Sequence, residues 1–124
     1  MKKTKILHIF LTCLKVIIPV LLIVPLVFFS YRLVEGRLDD IKNAGNEDYH
    51  SGTGFYIFAS HALLIAADVI AFAAGGVGLL ISSLSKTDPM REKNISHFKS
   101  LLIAPMLNHL LYLLITVIAV NLIK

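Results

Sequence analysis

The stretch FYIFASHALLIAADVIAFAAGGVGLLISSL, residues 55–84, decides the fold. It is built almost wholly from Ala, Gly, Ile, Leu, Val and Phe, yet it carries His61 and Asp68 inside the apolar run. Thirty mostly apolar residues exceed the roughly 20 needed to cross the hydrocarbon of a bilayer as a helix. An aspartate near the middle of such a helix costs roughly 2.5–3.5 kcal/mol on insertion scales, so it should face protein or water and have a partner.

Two further apolar stretches flank this one. Residues 16–33 are apolar as far as Phe29, with Lys15 and Arg32 snorkelling at the ends, and Pro19 and Pro25 are expected to kink the span. Residues 101–123 form the third span, with Pro105 one turn inside it. The chain has 124 residues, 56% of them hydrophobic and 16% charged, so three spans occupy most of a single membrane domain. The predicted class is all-α integral membrane, three transmembrane helices with a short amphipathic lead-in. That lead-in sets Lys5, His8, Thr12 and Lys15 at three- and four-residue spacing against Ile6, Leu7, Phe10 and Leu14.

The connecting segments read differently. Residues 35–54 form an acidic loop with Glu35, Asp39, Asp40, Glu47 and Asp48, and residues 85–100 a basic one with Lys86, Arg91, Lys93 and Lys99. Within the second, Asp88-Pro89 reads as a helix N-cap followed by the first helical position. Basic residues close to the spans, Lys2, Lys3, Lys5 and Lys15 with those of the second loop, place the amino terminus in the cytoplasm and the carboxyl terminus outside a multi-pass cell-membrane protein. The formal charge of +4 does not indicate nucleic acid, because the cations sit in short juxtamembrane groups. A basic start followed by an apolar run is also the form of a signal peptide, but Ser30-Tyr31-Arg32-Leu33 has no small-x-small cleavage site, so an uncleaved helix is expected. Cys13 excludes an internal disulfide, and with Thr12 before it it is no lipoprotein cysteine.

No catalytic site is expected. Ser60 and His61 are neighbours pointing about 100° apart on a helix, so Ser60, His61 and Asp68 make no triad. Gly75-Gly76-Val77-Gly78 lies within a helix and is no phosphate loop. The acidic loop lacks the alternating carboxylates and central glycine of a calcium loop, and the histidines show no metal-ligand spacing. Bis-histidine haem ligation fails on depth if the spans are aligned by their midpoints, which leaves ~15 Å between the levels of His61 and His109. No cofactor is expected.

Two constellations remain. Ala67, Ala71 and Gly75, with Ala74, Gly78 and Ser82 beside them, recur every four residues in the small-xxx-small pattern that lets helices approach closely. His61, Asp68 and Gly75, spaced by sevens, share one stripe, and Asp68 should meet His109 or Asn108 of the third span in a buried polar cluster. The leading expectation is a small non-catalytic subunit in the lipid bilayer that packs through its small-residue face against itself, as a homo-oligomer, or against a larger membrane complex. The polar cluster then serves as structural glue, since a carrier would line a path with more such groups. In outline the two last helices, with Ala66 to Gly78, Lys86-Thr87-Asp88-Pro89 and the basic residues that follow, resemble the pilin subunits of conjugative and related secretion systems. That resemblance implies an assembly subunit with a cleavable leader, from which residues 16–33 depart. By length the chain also resembles three-helix phage holins, without their dense charged tail. A third alternative is an ion or proton carrier using Asp68 and His109.

Overall fold

A computed structural model describes residues 2–121, with side chains from residue 5 onward; the side chains of Lys2 and Lys3, and Lys124 with the last residues of the third span, lie outside that description. Three helices follow one another: α1 (Lys2–Lys42), α2 (Thr53–Leu84) and α3 (Arg91–Asn121). All three are long and apolar enough to cross a membrane, and each packs on both others.

The inward positions of α2 are Ser60, Leu64, Ala67, Ala71, Gly75, Gly78 and Ser82, and those of α3 are Asn94, Phe98, Leu101, Pro105, Tyr112, Thr116 and Ala119. Both sets step by threes and fours, save one full heptad from Pro105 to Tyr112, the seam of left-handed helical bundles. Toward the 85–90 connector the core gathers Leu11, Ile18 and Leu22 of α1 with Ala71, Phe98 and Leu101. Toward the first loop it gathers Leu26, Leu33, Leu64, Tyr112 and Ala119. Outward-facing Val24, Val27, Phe58, Val69, Leu80 and Met106 are all more than half exposed. An apolar exterior of this extent suits lipid rather than water, and the molecule is compatible with a multi-pass membrane protein.

The loops are shorter than the sequence suggests. α1 runs unbroken through Pro19 and Pro25, joins the lead-in to the span, and continues to Lys42, taking up the first part of the expected 35–54 loop. Pairs at helical spacing explain the extension: Arg32 meets Glu35 at 3.1 Å and Arg37 meets Asp40 at 3.6 Å, each three residues apart. The helix ends where Asn43 turns back to the Asp39 carbonyl and Gly45 adopts φ +89°, a conformation that favours glycine. Asp40 then fastens the loop, accepting from Tyr49 at 2.8 Å and Thr53 at 2.6 Å. That bond to Asp40 raises the pKa of the Tyr49 hydroxyl above its ordinary value.

The expected 85–100 loop shrinks likewise, because α3 begins at Arg91. Asp88 accepts the Met90 N–H at 2.9 Å, an N-terminal cap, and approaches His8 of α1 at 3.6 Å. Lys15, expected to snorkel, instead donates to the buried Asn94 and lies 5.9 Å from the centre of the Phe98 ring.

Candidate functional site: a polar row between α2 and α3

With so short a connector, residues pair across the hairpin in strict antiparallel order. Gly78 lies against Phe98 and Gly75 against Leu102, followed by Asp68 against His109 and His61 against Thr116. Alignment by span midpoints misplaces this register, because α3 starts ten residues before its apolar run. In this register His61 lies seven residues, about 10 Å, from the level of His109 rather than ~15 Å, and the two side chains span that gap. Their nitrogens lie 3.2 Å apart and their ring centres 5.1 Å apart, which overturns the depth argument.

From one end to the other the row runs as follows. Asp68 Oδ2 lies 3.1 Å from His109 Nδ1, and His109 Nε2 lies 3.2 Å from His61 Nδ1. His61 Nε2 lies 3.2 Å from Thr116 Oγ1, which donates to the Tyr112 carbonyl at 2.9 Å. Both nitrogens of each imidazole are engaged. Both rings thus have their ring nitrogens committed to neighbours in the row, and among the described residues no three His, Cys, Asp or Glu side chains converge as metal ligands.

Tyr112 braces the row from behind. Its ring centre is 4.7 Å from that of His61, and its buried hydroxyl bonds Ser60 Oγ at 2.6 Å. Ser60 gives its own proton to the Ile57 carbonyl at 3.1 Å, so Tyr112 is the donor of that pair. Tyr56 crosses to α1 and donates to the Phe29 carbonyl at 3.2 Å.

The remaining candidates divide. Asn108 does not join Asp68: adjacent helix positions diverge by about 100°, and it faces α1 in a groove with Pro19, Leu22 and Ile23. Ala67, Ala71, Gly75, Gly78 and Ser82 are buried inside this one chain and Ala74 is half-buried, so that face packs within the molecule. Thr116, Ser60 and Tyr112 are outside the polar cluster expected from the sequence, where Ser60 enters only as a rejected nucleophile. Their signal is the three- and four-residue seam itself, which turns hydroxyls inward on both helices.

Comparison of the chain with protein families, characterised proteins and solved structures found no match. What the protein does has to be read from this row.

Asp68 Oδ1 is buried without a hydrogen-bond partner among the described residues. A groove of about 330 Å³ opens sideways at that carboxylate, between the outward faces of α2 and α3. From Asp68 as far as Gly78 the seam is apolar, with Ala71, Gly75 and Gly78 against Leu102 and Phe98, and the buried polar Ser82 and Asn94 follow nearer the connector.

Proposed function

We propose that this chain is a small, non-catalytic integral membrane subunit that carries protons between the first-loop end of the α2–α3 hairpin and Asp68. The unbroken row from Thr116 through two imidazoles to a carboxylate is the observation that supports it. With Asp68 ionised, His109 donates from Nδ1 to Asp68, His61 donates from Nδ1 to His109, and Thr116 donates to His61. A proton arriving at Thr116 reverses every bond. Thr116 passes its own proton to His61 Nε2 and keeps the new one, His61 passes Nδ1–H to His109 Nε2, and His109 passes Nδ1–H to Asp68. One proton enters and one resides on Asp68.

The contacts of Thr116 suit both states. A hydroxyl has one proton and cannot donate to His61 and to the Tyr112 carbonyl together, so the bond to Tyr112 belongs to the reversed state, in which His61 is the donor. The row ends at Asp68, short of the connector, so a full crossing requires a second copy or a larger membrane partner to supply the other half.

Two measurements test this reading. Nitrogen NMR of His61 and His109 in bilayers should show both tautomers reversing together through one pH transition, with Thr116→Val altering His109 as well as His61; independent titration of the two rings would refute the relay. For orientation, in a Cys13→Ser background an impermeant thiol reagent should modify Asn46→Cys from outside the cell and leave Lys93→Cys untouched. The opposite pattern would reverse the amino-inside topology.

A further inference from the structure

The groove beside Asp68 is walled by Ile65, Val69 and Phe72 of α2 and by Pro105 and Met106 of α3, with Asp68 and His109 at its base. Its apolar walls favour an apolar body and its single carboxylate selects the charge. A simple anion would be repelled by Asp68. A hard metal cation needs about six oxygen ligands, and here one carboxylate is offered. An organic ammonium ion meets both demands, because its carbon surface fills the apolar walls and its charge lies beside the Asp68 carboxylate. Ile65, Val69, Phe72 and Met106 are more than half exposed, so the groove is entered from the side, where a lipophilic cation dissolved in a bilayer would arrive.

We propose that this groove binds a lipophilic organic cation whose charge and the relayed proton compete for Asp68. The competition rests on the relay reading, whereas binding itself requires only the carboxylate and the groove. The titratable groups facing Asp68 are His109 of α3 and, one step beyond, His61 of α2; the lining residues all come from α2 and α3.

The test uses the full chain in lipid nanodiscs, with benzyltrimethylammonium as the probe and its uncharged carbon analogue neopentylbenzene as the control. Binding is read from the Met106 methyl signal. Benzyltrimethylammonium should perturb that signal saturably and release a proton into weak buffer, and its affinity should fall roughly tenfold per pH unit once Asp68 is protonated. Neopentylbenzene should bind without proton release. Asp68→Asn should lose the cation's advantage over the neutral analogue, with helix content checked by circular dichroism. Val69→Trp, which fills the groove from an exposed wall and leaves the carboxylate in place, should block the probe. No saturable binding in the native chain, or equal binding by native and Asp68→Asn protein, overturns the proposal. Cation binding with proton release but uncoupled histidine tautomers would sink the relay and leave the groove, and coupled tautomers without binding would do the reverse.

Discussion

Gly78→Ala is expected to cause the largest loss of stability of any single methyl addition in α2. A Cβ built on Gly78 falls within the space of the Phe98 ring, closer than real Cβ atoms approach a neighbour. That ring is fully buried and packs with Leu11, Ile18 and Leu22, so moving it disturbs all three helices at the connector end. Overpacking of this kind costs about 1–3 kcal/mol and occasionally more. The neighbouring glycines grade the effect. At Gly75 the added atom would sit 3.0 Å from the flexible tip of Leu102, so a smaller loss is expected; at Gly76 it meets nothing within 4 Å, and alanine there should be neutral or stabilising by up to about 1 kcal/mol. Equilibrium unfolding in mixed micelles would rank the three. Adding Phe98→Ala to Gly78→Ala should give less than the sum of the separate losses, since each vacates what the other fills. Stability equal to the native chain for Gly78→Ala would mean that α2 and α3 do not approach as described.

The sequence made the three long helices and the small-residue face of α2 legible, since they follow from length, apolar composition and the four-residue spacing of Ala67, Ala71 and Gly75 and of Ala74, Gly78 and Ser82. Register was not legible. It is set by how few residues separate α2 from α3, and the polar start of α3, from Arg91 to Ser100, looks like loop when judged by hydropathy alone. Asp88 already marked a helix start, and aligning the hairpin from that cap would have brought His61 nearer the level of His109. The same bias toward hydropathy hid the end of α1, where Gly36 and the acidic residues suggest a loop although Arg32 with Glu35 and Arg37 with Asp40 sit at helical spacing. Ser60, Tyr112 and Thr116 were missed for another reason. Hydroxyls are common and cheap in such helices, and only a partner across the interface makes them informative.

Asp68→Asn and Asp68→Leu together separate a relay from structural glue. The amide keeps the shape and can accept the His109 N–H, so Asp68→Asn should retain the fold and most of the contact between α2 and α3. Its nitrogen and oxygen hold no exchangeable charge at neutral pH. One titrating carboxyl is lost on either reading, but if Asp68 is the terminus of the relay, His61 and His109 should each stay in one tautomer across the pH range in which the native rings reverse. Leucine goes further, because it leaves His109 Nδ1 without its acceptor in an apolar setting, at a cost of about 1–3 kcal/mol. Part of that loss is offset by removing a carboxylate from the apolar span. Asp68→Leu should therefore show a freed His109 ring and a broken row with little change in overall stability, whereas Asp68→Asn should show an intact row that no longer reverses. Glue predicts a different pair of results: asparagine indistinguishable from aspartate in the tautomer behaviour of His61 and His109, and leucine alone defective. Native-like tautomer reversal of His61 and His109 in Asp68→Asn would remove the proton from the function of this protein and leave the polar row as the lock that fixes the register of α2 on α3.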